Sequence, residues 1–511
     1  MRKLSRRGFL GGIGVGAGVL AAQPAKAFGV INEIFDDAPA AAAPSAVTFG
    51  RIFGIPAFAP ASSAVVAALS DIGKAGGLLD AKDDLSQGPA ASILDPTLSP
   101  NHHDNPRMTA GFHFLGQLID HDLTFDLTST LGVPAVPEQT RNQRTPALDL
   151  DNVYGGGPQA SPKLYDPADP AKFLVQSGGQ FEDVPREADG TAIIADPRND
   201  ENMMISGLHV AILKFHNNVV DALRAQGVRD VFNAAHRTVL WHYQWIILHE
   251  YLPANIGQDM TTAVLSNGLL YFDPYRTPFM PIEFSAAAFR FGHAQIRPSY
   301  RANLKGDNGS PFFGFIFDPA GEGQADPVDL RGGFRAPRRF IGWQTFFDFG
   351  DGQVKQNKLI KTAVSTPLFQ LPLSAIATHD QPVSLMARDM LRMLTWSLPS
   401  GQRLAEFMGD PVIDAGHFPE LAKYGLGLDA NTPPLYYILR EADLVNGGTH
   451  LGPVGGRIIG ETIIGLMLVD PGAFLSSNPN WTPTLPSATP GTFTMVDLLK
   501  FAKVDPASRG Q

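Results

Sequence analysis

The 511-residue sequence contains no cysteine. This absence excludes disulfide bonds, thiolate metal ligands and a cysteine nucleophile. Basic residues are also in deficit, with 40 Lys and Arg against 50 Asp and Glu, so the formal net charge is −10. Such a chain is poorly suited to bind nucleic acid or an anionic membrane surface. With 44% hydrophobic and 18% charged residues it can still bury a large core, and it is not globally disordered.

The N-terminus has the pattern of a targeting segment. Residues 5–10 read Ser-Arg-Arg-Gly-Phe-Leu, a twin-arginine signature, and an apolar, glycine-rich stretch follows from Gly11 to Ala22. That stretch is too short to span a membrane, and an Ala-Lys-Ala cleavage pattern ends at Ala27. We therefore predict a signal peptide over residues 1–27, use of the twin-arginine export machinery, and a periplasmic or extracellular mature protein with no membrane span.

The rest of the chain reads as mainly α, with one large domain, long irregular loops and little β. We predict an Ala/Pro-rich lead-in over 28–60, the domain over 61–475, and a Pro-rich C-terminal extension over 476–511 with a short helix. Apolar spacing predicts helices over 109–126, 201–226, 229–251, 284–296, 384–394, 400–408 and 494–502. Few segments alternate with period two. The 52 glycines and 42 prolines indicate long connections, and residues 305–340 are predicted as a surface loop.

Residues 116–125, Gly-Gln-Leu-Ile-Asp-His-Asp-Leu-Thr-Phe, place four polar side chains in an apolar run. In a helix, Gln117 and His121 lie one turn apart on one face, flanked by Asp120 and Asp122. Burying them is costly unless each has a partner, which a cofactor, a metal or a peroxide-sized substrate would supply. The segment closely resembles the distal-histidine motif of the animal haem peroxidase family (the peroxidase–cyclooxygenase superfamily). Four further segments resemble this family, in the family's order.

The second segment runs from Thr145 to Gly155 and carries oxygen-bearing side chains at alternating positions. Ca²⁺ takes six to eight oxygen ligands, and loops of this kind supply them. Standing alone, the segment would be interpreted as an acidic turn. Its resemblance to the family's calcium loop implies a structural Ca²⁺ whose ligands are Asp122, Thr145, the Ala147 carbonyl, Asp149 and Asp151.

The third segment, Asp196–Asn202, places Arg198 three residues before Glu201. Alone, this pair would suggest a surface ion pair of little energetic value. The resemblance implies that Arg198 lies over a haem b, and that Glu201 and Asp120 occupy the positions that form ester bonds to haem methyl groups. Some halide-oxidising members add a link through a Met after the Glu. Asn202 stands there, so we expect no such link.

The fourth and fifth segments are Ala288–His293 and Leu385–Arg392. The resemblance implies that His293 is the axial haem-iron ligand and adds Arg290 to the haem-binding set. Arg290 stands where cyclooxygenase-type members carry their radical-forming Tyr. Asp389 occupies the place of an Asn that accepts a hydrogen bond from the proximal imidazole. A carboxylate there would make the imidazole a stronger donor and lower the reduction potential of the iron.

These features predict a secreted haem peroxidase that reduces hydrogen peroxide and oxidises a halide, a phenol or another small reductant. His121 would be the general acid–base, Arg198 would stabilise developing charge, and Gln117 would position water, peroxide or halide. One alternative is a lipid or fatty-acid dioxygenase, which the absence of Tyr beside His293 disfavours. A second is a catalytically idle, calcium-binding extracellular protein. A non-haem metal site at His121 is more remote.

The remaining histidines have simpler interpretations. His209 and His216 lie seven residues apart on one helix face and are interpreted as structural rather than as metal ligands. His102, His103 and His113 precede the distal motif, and solvation is a simpler role for them than lining an access path.

Overall fold

The computed structural model describes residues 48–99, 101–276, 278–334 and 336–511. The predicted signal peptide (1–27) and the lead-in up to residue 47 lie outside the described residues. The rest of the lead-in is packed rather than loose. Phe53 and Phe58 are buried, and the strand Phe49–Gly50 pairs in parallel with Met280–Pro281.

The described part of the chain is mainly helical, as predicted. Its α-helices are α1 Ser63–Gly73, α2 Gly88–Leu94, α3 Gly111–Leu123, α4 Asp151–Tyr154, α5 Gly157–Ala160, α6 Met203–Ala225, α7 Val231–Ile246, α8 Leu252–Ile256, α9 Gln258–Asn267, α10 Ile282–Ser285, α11 Leu385–Thr395, α12 Gly401–Met408, α13 Pro434–Asn446, α14 Pro453–Val469, α15 Phe474–Ser477, α16 Met495–Phe501 and α17 Pro506–Arg509. A π-helical turn, Ile247–Tyr251, joins α7 to α8. Two 3₁₀ segments carry site residues, Pro197–Asp200 and Ala288–Gln295.

The strands are few and short, and within the described ranges each sheet has two of them. They are β1 Phe49–Gly50, β2 Asp104–Thr109, β3 Tyr165–Asp166, β4 Asp169–Phe173, β5 Gln176–Ser177, β6 Glu182–Asp183, β7 Met280–Pro281, β8 Ser299–Asn303, β9 Phe312–Phe315 and β10 Gln356–Lys358. The β1–β7 pair is parallel, and the pairs β2–β10, β3–β4, β5–β6 and β8–β9 are antiparallel.

Helix α6 lies at the centre of the core and packs against α3, α7 and β4. The Asn202 side chain caps its N-terminus by accepting from the Ile205 amide at 3.0 Å. Apolar residues at helical spacing, including Met204, Leu208 and Ile212, are buried along its length. The long apolar face explains why the periodicity over 201–226 predicts this helix correctly.

The C-terminal segment belongs to the same core. Helix α16 packs on α6, where Asn218 donates a hydrogen bond to the Phe501 carbonyl at 2.8 Å. Phe493 stacks on Phe215 with ring centroids 5.9 Å apart. Residues 476–511 are therefore packed on the helical core rather than extending away from it.

Two predictions of local structure are wrong. Residues 284–296 do not form one α-helix, because the backbone leaves the helical region at Ala287 (φ −134°, ψ −72°) and continues as the 3₁₀ segment Ala288–Gln295. Residues 305–340 are not wholly a surface loop, because β9 pairs with β8 and Ile316 and Phe317 are buried. The apolar run that contains β9 outweighs the glycines and prolines around it.

Helices α13 and α14 are absent from the sequence-based prediction. Both have Pro in the first turn, where its missing N–H is tolerated. Helix α14 is buried over almost its whole length and shows little amphipathic pattern. Among the described residues, none of the helices combines the length and the apolar character that crossing a lipid bilayer requires.

Candidate active site

Helices α3 and α11 and the two 3₁₀ segments enclose the candidate site. A cavity of about 170 Å³ lies between them, and both polar and apolar side chains line it. Its polar lining consists of His113, Gln117, Asp120, His121, Arg198, Glu201, Asn202, Tyr251, Arg290, His293 and Gln295. Its apolar lining includes Phe114, Phe289, Ile296, Ile316, Phe317, Leu368, Leu371, Ala375 and Leu385.

His121 faces this cavity from the last turn of α3. Its Nδ1 lies 2.8 Å from Asn199 Oδ1, and this contact assigns the proton to Nδ1 and leaves Nε2 as the free acceptor. The Nδ2 group of Asn199 donates to the Asn152 carbonyl at 3.1 Å and lies 3.0 Å from His209 Nδ1, and these contacts orient the amide. Burial and the Arg198 charge lower the pKa of His121 to about 4. The imidazole is therefore neutral at physiological pH.

Arg198 is held rigidly beside His121. Its Nε and Nη2 donate to Asp196 at 3.0 and 2.7 Å, and Nη2 also donates to the His121 carbonyl at 3.1 Å. The guanidinium lies 4.0 Å from the centre of the Phe125 ring. Burial alone would raise the pKa of Asp196, but the Arg198 charge outweighs burial and lowers it. Arg198 is thus a buried cation with a buried counter-ion, not the surface ion pair that the sequence alone would suggest.

Gln117 is one turn before His121 and is held from two sides. Its Nε2 donates to Glu201 Oε2 at 3.1 Å, and its Oε1 accepts from Asn202 Nδ2 at 3.2 Å. Burial raises the pKa of Glu201 to about 8, against the opposing effect of Arg198. The Glu201 side chain is therefore largely uncharged at neutral pH.

His293 enters the cavity from the opposite element, the 3₁₀ segment Ala288–Gln295. Its Nδ1 lies 2.6 Å from Asp389 Oδ2, and Asp389 is buried on α11. The contact that the resemblance predicts is therefore present, although the two residues are 96 positions apart. With Nδ1 engaged, Nε2 is the nitrogen left for a ligand in the cavity.

Arg290 links the two sides of the cavity. It donates to the Ser285 carbonyl at 2.7 Å and to Asp120 Oδ2 at 3.3 Å. A second cavity, of about 150 Å³, shares Arg198 and Arg290 with the first. Arg388 and Arg392 add to its lining, so its wall is rich in guanidinium groups.

The predicted calcium ligands also converge. Oxygen atoms of Asp122, Asp149 and Asp151 lie within 4.8 Å of one another. Burial raises the pKa of all three, to about 6 for Asp149 and about 7 for Asp151. Thr145 Oγ1 donates to Asp149 at 2.7 Å. Ala147 lies in the same loop, and the role of its carbonyl stays a prediction.

Three residues of the site were missed by the sequence-based reasoning or undervalued in it. Asn199 orients His121. Tyr251, at the end of the π-helical turn, lines the cavity and fills the space beside Gly116, where a Cβ would lie only 2.5 Å from the Tyr251 hydroxyl. His113 also lines the cavity and is buried rather than solvated. A side chain at i−8 from His121 shares its helix face, and that spacing is a signal that could have found His113.

Part of this chain is similar in sequence to known proteins. The model of the animal haem peroxidase family matches residues 125–312. Human "Probable oxidoreductase PXDNL" is 29% identical over 221 residues, which cover 38% of this chain and 15% of that protein. Human thyroid peroxidase is 28% identical over 198 residues, which cover 33% of this chain and 21% of that protein. The chain thus matches only about a fifth or less of the length of these two relatives.

Solved structures share the fold at low sequence identity. Peroxidase A from Dictyostelium discoideum is 16% identical, covers 82% of this chain and 88% of that chain, and has a TM-score of 0.53. Fatty acid alpha-dioxygenase from Arabidopsis thaliana is 15% identical, covers 78% and 72%, and has a TM-score of 0.53. The family model and the named relatives thus show that part of this chain, residues 125–312 in the family match, is similar to animal haem peroxidases, and the solved structures share its fold.

Proposed function

We propose that this protein is a haem peroxidase that reduces hydrogen peroxide and oxidises a small second substrate. One observation carries the proposal: His121 and His293 face one cavity from different elements, and each has its Nδ1 engaged by an oxygen. Both Nε2 atoms are thereby left for the cavity. This donor set would suit a haem, because one histidine would bind its iron and the other would take and return protons.

The other residues of the site also fit a haem b. Arg388 and Arg392 lie on the wall shared with Asp389 and suit the haem's two carboxylates. Asp120 and Glu201 line the cavity at the positions where the family forms ester bonds, and both would hold the group if linked. When bound, haem would supply the iron at which peroxide is reduced and the second substrate oxidised.

The protein's own residues would then move protons and stabilise charge. His121, neutral and with a free Nε2, takes the proton of the incoming peroxide and returns it to the leaving oxygen, a step typically worth about 10²–10⁴ in rate. Arg198 keeps its positive charge because Asp196 is ionised beside it. It stabilises the negative charge that develops as the O–O bond breaks.

We propose that Ca²⁺ occupies the cluster of Asp122, Asp149 and Asp151. Asp122 Oδ1 and Asp151 Oδ1 are buried and have no hydrogen-bond partner. The nearest cation is Arg144, whose Nη1 lies 3.5 Å from Asp151. A single arginine does not neutralise three buried carboxylates, and a hard divalent cation would do so.

Removing this cation should destabilise the fold. We expect a chelator to lower the melting temperature by about 5 °C or more, because bound Ca²⁺ stabilises only the folded chain. Asp151→Asn should reduce the response to added Ca²⁺, whereas Asp84→Asn, at an exposed site, should retain it. Differential scanning calorimetry with and without chelator measures both effects. Identical melting curves for the native protein with and without chelator would contradict the calcium assignment.

Asp389 should set the reduction potential of the iron. We expect Asp389→Asn to raise that potential by about 60 mV or more, because it weakens a charge-assisted hydrogen bond to the His293 ring. The matched control is Asp126→Asn. Asp126 also lines the second cavity, but it contacts Arg392 rather than His293, so the substitution removes a carboxylate without affecting the His293 contact. A spectroelectrochemical titration measures both. Equal shifts in the two variants would refute a specific role for Asp389.

The absorption spectrum of the purified protein tests the proposed function. We expect a Soret band that shifts when hydrogen peroxide is added and returns when a reductant such as a phenol is supplied. Retention of the band after denaturation would reveal the ester bonds. A Soret band indifferent to peroxide would support the catalytically idle alternative. No band after reconstitution with haem would refute the proposal.

Fatty-acid oxygenation is a second candidate, which one observation favours. Tyr251 and the apolar residues Ile316, Phe317 and Leu368 line the same cavity as the histidines. A tyrosine and an apolar lining are what a lipid dioxygenase requires. Oxygen uptake on adding a fatty acid would support this candidate, and its absence would leave the peroxidase activity alone.

We also propose that the protein is exported by the twin-arginine route and acts in the periplasm or outside the cell. The twin-arginine pattern at residues 5–10 and the cleavage pattern ending at Ala27 support this location. Mass spectrometry of the protein recovered from the periplasm or medium of the native host tests this proposal. We expect the mature chain to begin at Phe28.

A further inference from the structure

The Asn202 side chain performs two tasks in the wall of the cavity. Its Oδ1 accepts from the Ile205 amide at 3.0 Å and so caps α6. Its Nδ2 donates to Gln117 Oε1 at 3.2 Å. Asn202 is only 4% exposed, so water does not compete freely for either contact.

The helix cap determines which way both amides face. The Ile205 backbone N–H can only donate, so the oxygen of Asn202 must face it and the NH₂ group must face Gln117. Gln117 must then turn its oxygen towards Asn202 and its NH₂ group towards Glu201. The opposite orientation of Gln117 would bring two NH₂ groups together.

This orientation gives the cavity a hydrogen-bond donor. One Gln117 N–H is used by Glu201 Oε2 at 3.1 Å. The second N–H has no protein partner among the described residues, and Gln117 lines the cavity one helical turn from His121. A ligand beside His121 therefore meets an N–H rather than a carbonyl oxygen at this wall.

We propose that Asn202 is a positioning residue that fixes Gln117 as a donor, so that the site prefers small anionic ligands over uncharged ones. The inference rests on the proposed haem site. It goes beyond that site because it assigns the ligand preference to Asn202, which caps α6 with its oxygen and donates to Gln117 with its NH₂ group. A capping role alone would affect the stability of α6 and leave ligand preference unchanged.

The test uses the haem-loaded protein and two variants that retain a capping side chain, Asn202→Ser and Asn202→Asp. The anionic probe is fluoride on ferric haem, and the uncharged probe is carbon monoxide on ferrous haem, both followed by the Soret band. Asn202→Ser should weaken fluoride binding about tenfold, the factor that one hydrogen bond to a charged partner is worth. Asn202→Asp should weaken it at least as much, because an acceptor then faces Gln117. Carbon monoxide binding and the melting temperature should change little.

A double-mutant cycle with Gln117→Leu separates positioning from a general effect. In the Gln117→Leu background, Asn202→Ser should cause no further loss of fluoride affinity, because the amide it positions is gone. The same loss in both backgrounds, no loss in Asn202→Ser, or an equal loss of carbon monoxide binding would overturn the inference. Failure of the native protein to take up haem would instead refute the proposed function, and with it this inference.

Discussion

His293→Ala should lose haem. The ring lines the cavity, and Asp389 on α11 holds its Nδ1 at 2.6 Å so that Nε2 is left for the cavity. Removing even a residue that supports a metal ligand typically costs about 10–100-fold in affinity. We therefore expect at least a 100-fold faster loss of haem to an acceptor protein, measured by Soret absorbance. If ester bonds retain the haem, the iron spectrum should change instead.

Two controls distinguish a ligand role from a folding defect. Added imidazole should restore the native spectrum of His293→Ala, because it replaces the missing ligand and cannot repair a misfolded chain. His249→Ala, at an exposed position stacked on Trp245, should behave like the native protein. A native spectrum in His293→Ala without imidazole would contradict the assignment of His293 as axial ligand.

The parts of the site that lie on one element could be predicted from the sequence. Gln117 and His121 are four residues apart on an apolar helix, and helical spacing alone predicts that they share a face. The oxygen-bearing residues of the acidic loop also lie within eleven positions, but their spacing alone indicates only an acidic turn, and the calcium site follows from the family resemblance. For residues on one element, the spacing along the chain determines which side chains lie near one another.

Contacts between distant elements could not be derived from spacing. The Asn199 contact that orients His121 spans 78 positions, and the Asp389 contact with His293 was expected only because of a family resemblance. Tyr251 reaches the cavity through a π-helical turn, which shifts side-chain directions in a way that helical periodicity does not describe.

The fold shows the same division. Amphipathic helices such as α6 and α11 are predicted from their apolar spacing, because one face is buried and the other is not. Helix α14 is buried on nearly all sides, so its sequence has no polar face to reveal it. The 3₁₀ segment that carries His293 has an apolar pattern close to that of an α-helix, and only its backbone geometry distinguishes the two.

His121→Ala should retain haem and react with hydrogen peroxide about 10²–10⁴-fold more slowly, because the general base is lost while His293 is untouched. In the native protein the base is the neutral ring, and its pKa is lowered to about 4 by burial and by Arg198. The rate should therefore be constant from pH 5 to pH 7, below the pKa of about 8 of Glu201 in the same cavity. It should fall as the pH drops through about 4, where the ring gains a proton. Stopped-flow measurement of the Soret change across this range tests both statements, and the variant should lack the inflection.

Asn199→Leu is the companion variant, because it leaves the imidazole in place and removes the acceptor that keeps the proton on Nδ1. An intermediate rate in Asn199→Leu would show that tautomer control by Asn199 contributes to catalysis. A native rate in His121→Ala would mean that another group takes the peroxide proton, and His121 would then be a structural residue of the cavity wall.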